Sequence, residues 1–198
     1  MKLPYDKLIA SFKNEVKNAS QNPSFIHYEW FVTYHLEIVE KIALELCEKY
    51  PAADKGFVML LVWLHDYGKV IDHKNQYKAT ALFGEKKLLE IGFPKDIVEK
   101  ALEYIDILDK KIDLAQAPIE VQIVSSADGA SHLVGPFFAI YWKEYSQDPC
   151  EEIIQENKRK ALVDWKKKIT LPEIKEAFLE RHKFLLEFCG EFPERFLP

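Results

Sequence analysis

Apolar residues recur mostly at helical spacing along this chain. Between residues 30 and 50, Val32, Leu36, Val39, Ala43 and Leu46 fall on one stripe with polar residues between them, which predicts an amphipathic helix with His35 at its border. Residues 5–19 predict a first helix. Residues 77–91 and 94–108 predict two more, parted at Gly92-Phe93-Pro94, where proline can open a helix. Residues 118–131 predict another, carrying Ile119, Ile123, Ala127 and Asp128, and residues 137–145 follow. Residues 151–168 and 172–188 predict an amphipathic pair, separated near Thr170-Leu171-Pro172 and stopped near Gly190. One stretch breaks the pattern. Residues 57–64 (FVMLLVWL) are apolar without interruption, too short to span a bilayer and fit for burial on every side. A buried parallel strand would read the same way. The helical patterns around it, with only residues 121–124 as another β-branched run, favour helix.

The expected fold is therefore all-α. One domain over residues 1–198 is the natural reading, with a core of about 25–145 and a C-terminal helical pair at about 150–190. Nothing in composition marks a boundary between the two. Apolar residues are 48% and charged residues 30%, ordinary for a globular protein. The net charge of −5 argues against a surface that coats nucleic acid. The three cysteines, Cys47, Cys150 and Cys189, are scattered, which fits reduced thiols and a cytoplasmic protein better than a disulfide scaffold. The first residues, MKLPYDKLIASF, lack a signal-peptide core, and no membrane partner is expected.

The chemistry concentrates where the apolar run ends. His65 and Asp66 follow Leu64 directly, so an imidazole and a carboxylate emerge from the interior. Burying them costs free energy unless they are paired, hydrogen-bonded or metal-bound. Adjacent helical residues diverge by about 100°, so both can reach one ion only near a helix end. Gly68 would permit such a departure, and Lys69 adds a cation suited to an anionic substrate. A His-Asp pair alone is also an ordinary helix cap or surface ion pair. His35 upstream and Asp128 downstream, each in apolar surroundings, change that balance.

In order, His35, His65-Asp66 and Asp128 resemble the H…HD…D signature of the HD-domain metal-dependent phosphohydrolase superfamily. The resemblance runs over roughly residues 28–138 and includes the LHDYGK block, LLEIGFP at 88–94 and Ser-Ala-Asp at Asp128. It implies an HD-type helical bundle, one divalent ion (Mn, Mg, Fe, Co, Ni or Zn) held by His35, His65, Asp66 and Asp128, and hydrolysis of a small phosphate ester, a nucleotide among the candidates. Such an ion lowers the pKa of its water and polarises phosphoryl oxygen. Asp66 and Lys69 carry the catalytic expectation, with Lys69 neutralising charge on the phosphate. The alternative function is a degenerate HD-type regulatory module that binds metal or nucleotide without turnover; a purely structural helical domain would require the four residues to be dispersed. Binuclear members of the superfamily carry further histidines where this chain has Gln76-Tyr77 and Ile105-Asp106. One ion is therefore favoured over the two-iron oxygenase and cyclic-dinucleotide phosphodiesterase subclasses, and the glycine-tyrosine-proline signature of the latter is absent.

Several other residues are candidates for substrate contact. Lys69, His73, His132 and His27 are named on position, each with a plainer reading beside it. His73 lies in a polar stretch (IDHKN) and reads more simply as a loop histidine. His132 stands four residues after Asp128, on the same helical face, but also near a helix end. His27 and Glu29 precede the first candidate ligand. His182 reads as a helix-surface residue. Trp30 and Trp63 read as core aromatics. Lys158-Arg159-Lys160 and Lys166-Lys167-Lys168 read as solvated helix faces.

Overall fold

The structure is a computed structural model that describes residues 5–110 and 114–197. The start of the segment read as lacking a signal-peptide core, residues 1–4, lies outside the described residues, as do 111–113 and 198. The protein is all-α, and the described residues contain no strand. None of the described helices is long and apolar enough to cross a membrane.

The uninterrupted apolar run becomes α3, Lys55–Leu64, preceded by α1 (Asp6–Ser20) and α2 (Glu37–Lys49). Asp54 caps α3: its carboxylate accepts from the Phe57 amide at 3.0 Å, satisfying one of the free amides at the helix start. Every residue of α3 from Gly56 to Leu64 is buried. It is enclosed by α1, α2, α7 (Lys95–Lys110) and α8 (Ile119–Ser131). The short helices α4 (Tyr67–Ile71), α5 (Gln76–Ala79) and α6 (Glu85–Ile91) run between α3 and α7. Gly92 ends α6 with φ 101°, a left-handed conformation that suits glycine.

Towards the C-terminus lie α9 (Phe137–Glu144), α10 (Cys150–Val163) and α11 (Pro172–Phe188). Ile169, Leu171 and Ile174 join the main apolar cluster around α3. Ala161 of α10 and Leu185 of α11 pack with Trp30, Phe137 and Phe138 in a second one. The C-terminal segment thus reaches the same region of the fold as the middle of the chain.

Three stretches are π-helical: Val32–Leu36, Thr80–Gly84 and Asp164–Lys168. Each extra residue per turn rotates the side chains that follow relative to a regular helix. His35 lies inside the first, Asp164 and Lys168 at the ends of the third.

Two glycines set close approaches that shape the site. A Cβ on Gly68 would meet the Gln76 carbonyl oxygen at 2.1 Å and the Thr80 nitrogen at 2.2 Å. The role of Gly68 is space: it lies inside α4 and lets that helix press on α5, with its amide donating to Thr80 Oγ1 at 3.0 Å. A Cβ on Gly129 would meet Ile169 Cγ1 at 2.9 Å and Lys168 Cβ at 3.1 Å. That bare position on α8 admits the Asp164–Lys168 turn.

Candidate metal centre

The chain breaks its helix between α3 and α4, and His65 and Asp66 occupy the break. Asp66 has φ −114° and ψ 11°, outside helical geometry, so the two neighbouring side chains converge instead of diverging. His35 projects from the π-helical turn before α2, and Asp128 from α8. The structure brings all four together. His35 Nε2 lies 3.3 Å from Asp66 Oδ2 and 3.8 Å from Asp128 Oδ1. His65 Nε2 lies 3.6 Å and 4.0 Å from the same two oxygens.

The hydrogen bonds behind these groups decide which ring nitrogens carry protons. His65 Nδ1 is 2.7 Å from the Val62 carbonyl, an acceptor only, so Nδ1 is the donor. Its Nε2 is buried and has no hydrogen-bond partner. His35 Nδ1 is 3.0 Å from Ser131 Oγ, whose own hydroxyl donates to the Asp128 carbonyl at 2.7 Å. Ser131 therefore accepts from His35, leaving the lone pair on Nε2. Burial pushes the His35 pKa down, overriding Asp66 and Asp128, and keeps the ring neutral. Two imidazole lone pairs thus face two carboxylates. Neither ring nitrogen brings a proton to the carboxylates, and a cation shared among the four groups removes the repulsion between their lone pairs. Atoms bound at about 2.0–2.2 Å to one ion stand roughly 3 Å apart, close to the separations here. The set His35, His65 and Asp66, and the set His35, Asp128 and His132, could each hold a metal ion, with one ligand atom per residue all within 4.8 Å.

Both carboxylates are ionised. Burial would raise the Asp66 carboxyl, but the Lys69 ammonium beside it prevails and holds it well below the usual carboxylate range. Asp128 is also held well below that range against burial, chiefly by Lys168. Lys69 Nζ lies 2.5 Å from Asp66 Oδ2, and Lys168 Nζ lies 2.5 Å from Asp128 Oδ2. Lys168 also approaches Asp164 Oδ1 at 3.6 Å. Those two carboxylates raise the Lys168 pKa in spite of its burial.

This cluster forms the floor of a pocket of about 410 Å³. Trp30, Phe31 and Phe137 form apolar walls, and Tyr141, Tyr145, Arg159, Lys160 and Lys168 stand on the C-terminal side. All four candidate substrate contacts line it. Lys69 is partly buried, with its ammonium 5.7 Å from the centre of the Phe31 ring. His73 sits in a short 3-10 turn, its ring edge-on to His27 at 5.3 Å. His27 is buried, with Nδ1 2.8 Å from Glu144 Oε2, while Trp30 Nε1 donates to Glu144 Oε1 at 2.5 Å. Glu29 is apart from the pocket lining and pairs with Lys143 at 3.2 Å. His132 caps the end of α8, is buried, and stacks on His35 at 5.2 Å with 7° between the planes. Its Nδ1 meets Asp164 Oδ2 at 2.8 Å, and burial, followed by Lys160, pushes its pKa down to about 3.

Two sequence readings need correction. Lys166 and Lys167 are exposed, but Lys160 and Lys168 of the supposed solvated faces line the pocket. The π-helical turn rotates Lys168 inward, where Asp128 and Asp164 compensate its charge. His182 is buried, not on the surface: it stacks on Trp165 at 4.2 Å and 3°, so an aromatic face shields it. Sequence reasoning also missed Ser131, Glu144 and Asp164, polar residues whose partners lie far along the chain.

In comparison with known proteins, one family model, the HD domain, matches residues 32–131, half of the chain. That span contains His35, His65, Asp66, Lys69, His73, Asp128 and Ser131; His27, His132 and the residues of α9 to α11 lie outside it. No curated protein and no solved structure matches the chain.

Proposed function

The chain belongs to the HD-domain family of the metal-dependent phosphohydrolase superfamily, and from that premise we propose that it hydrolyses a small phosphate ester using one divalent ion held by His35, His65, Asp66 and Asp128. The observation that carries this reading is the convergence of the His35 and His65 Nε2 atoms on two ionised carboxylates at the base of the pocket. When bound, the ion would supply Lewis acidity towards phosphoryl oxygen and make water a better nucleophile.

The protein's own groups would do the rest. Lys69 and Lys168 flank the carboxylates and present ammonium groups to a phosphate. Lys69 offsets negative charge as it grows on the transferring group. Trp30, Phe31 and Phe137 keep bulk water from the floor, which strengthens those charge interactions. Tyr141 and Tyr145, with ring centroids 4.4 Å apart, also line the pocket, where a planar base can stack. This favours a nucleotide over a compact phosphorylated metabolite. The three free thiols fit a reducing compartment such as the cytoplasm.

The test is metal quantitation together with a panel of phosphorylated metabolites, on the wild type and on Asp66→Ala. The expected outcome is metal-dependent release of phosphate by the wild type, with metal and hydrolysis both lost in a variant that keeps its helical content. Full activity in a metal-free Asp66→Ala protein would overturn the reading. Nucleotide binding with no hydrolysis across the panel would identify a regulatory module instead.

A further inference from the structure

Three imidazoles, not two, turn an unprotonated ring nitrogen towards these carboxylates. The third belongs to His132, one residue beyond the span that the family model matches. It stands four residues after Asp128, so both side chains leave the same face at the end of α8. Its Nδ1 lies 2.8 Å from Asp164 Oδ2. Asp164 is 2% exposed and anchored by Lys160 at 3.5 Å and Lys168 at 3.6 Å, so it is a fixed acceptor that orients the ring. Phe137 packs on the ring at 4.3 Å and His35 stacks parallel to it, which leaves it little freedom to turn. Its Nε2 then points at Asp128 Oδ1, 3.5 Å away.

The lone-pair count reduces the two candidate triads to one ion. His35 belongs to both. An imidazole Nε2 has a single lone pair and serves one metal. Two separate ions cannot both use it, so one ion shared by the triads is the arrangement that engages every group.

We propose that His132 is a fifth protein ligand of that ion, oriented by Asp164, and that three imidazoles with two carboxylates select a borderline transition metal over Mg²⁺. The proposal rests on the metal site put forward above and adds both a ligand and a preference to it. Imidazole suits ions such as Fe²⁺, Co²⁺, Ni²⁺ and Zn²⁺, whereas Mg²⁺ prefers oxygen ligands and keeps several of its waters. A carboxylate behind a ligating imidazole fixes its tautomer and raises its basicity, which is the place Asp164 occupies.

The experiment uses the full chain, stripped with chelator and titrated with Co²⁺ alone and with Mg²⁺ alone. In the wild-type Co²⁺ protein, each coordinated imidazole should give one exchangeable N–H proton resonance shifted far outside the normal range. Three are expected, because all three Nδ1 atoms are donors. Co²⁺ should bind more tightly than Mg²⁺. His132→Gln should weaken Co²⁺ binding by about 100-fold, the upper end of what loss of an outer partner costs. It should change the visible spectrum and leave Mg²⁺ affinity within a few-fold. Asp164→Asn should weaken Co²⁺ binding by about 10-fold.

Two shifted resonances in the wild type, or unchanged Co²⁺ affinity in a folded His132→Gln protein, would overturn the proposal. The resonance count needs no variant, so it decides the matter even if His132→Gln fails to fold. His65→Ala separates this failure from failure of the site itself. If it abolishes Co²⁺ binding while only two resonances are seen, the four-residue site stands and His132 alone is excluded. If His65→Ala binds Co²⁺ as tightly as the wild type, the whole site is wrong.

Discussion

Ser131 Oγ accepts a hydrogen bond from His35 Nδ1 at 3.0 Å, across 96 positions of sequence. The serine can do this because its own proton goes to the Asp128 carbonyl, 2.7 Å away. One hydroxyl thereby couples the tautomer of one candidate ligand to the backbone of another. Ser131→Ala keeps the volume nearly constant and removes the acceptor. The His35 N–H is left buried without a partner, which costs about 1–3 kcal/mol. Ion affinity should fall by about 10- to 100-fold. Metal competition against a chromophoric chelator measures the second effect and urea unfolding the first. Unchanged affinity would mean that the ring is oriented by its packing alone.

Gly129 tests how tightly the C-terminal segment must seat. An added methyl would lie 2.9 Å from Ile169 Cγ1 and 3.1 Å from Lys168 Cβ. Overpacking of this kind costs about 1–3 kcal/mol, while replacing a mid-helix glycine by alanine returns about 1 kcal/mol. Gly129→Ala should be destabilised by up to roughly 2 kcal/mol on balance. Activity should fall as well, because the displaced turn carries Lys168 away from Asp128. Calorimetry and steady-state kinetics on one preparation check both. A rise in melting temperature would show that the turn retreats freely.

The helices were legible because their apolar stripes repeat at helical spacing, and residues 57–64 were legible as buried because nothing polar interrupts them. His35, His65, Asp66 and Asp128 stood out as polar groups in apolar surroundings. Lys168 did not, since Lys166-Lys167-Lys168 has the composition of a solvated face and a π-helical turn leaves no mark in a count of apolar positions. A weaker signal was present. Lys160, Asp164 and Lys168 repeat at intervals of four with alternating sign, the spacing of an ion-paired helix face. Ile169, buried immediately afterwards, shows that the chain enters the core there. Gly68 was legible as a special position but for another reason: sequence suggests conformational freedom, whereas the structure needs the missing side chain. Ser131 and Glu144 were not legible, because their partners come from distant segments.

His182 should make stability fall in mild acid. Its ring is buried against Trp165, and burial pushes its pKa below 6.5 although the Glu191 carboxylate acts in the opposite direction. The unfolded chain then binds a proton more readily than the folded one. Between the lowered folded value and about 6.5, the unfolded state is the more protonated, so stability rises with pH and is lost as pH falls. His182→Phe keeps an aromatic partner for Trp165 and removes the titration. The drop in urea midpoint from pH 7.5 to pH 5 should be smaller in the variant than in the wild type. Equal drops would place the acid sensitivity elsewhere.

Lys69 distinguishes help given to the transition state from help given to binding. Its ammonium stands 2.5 Å from Asp66 Oδ2, is 23% exposed, and faces the pocket beside Phe31. An ammonium has no lone pair for a metal, so Lys69→Ala should keep its ion. If the lysine acts mainly on charge that develops during phosphoryl transfer, kcat should fall by about 10²–10³ while KM changes less. A larger rise in KM with kcat preserved would make it a uniform binding group. Lys168→Ala is the informative comparison, since that ammonium is shared between Asp128 and Asp164. Its loss leaves two buried carboxylates short of a cation, so it should reduce stability as well as turnover. Lys69→Ala takes the ammonium from one carboxylate only, so it should lower the unfolding midpoint less than Lys168→Ala does. If the two variants lose stability equally, Lys69 is a structural counter-ion, and charge on the phosphate is met by other groups.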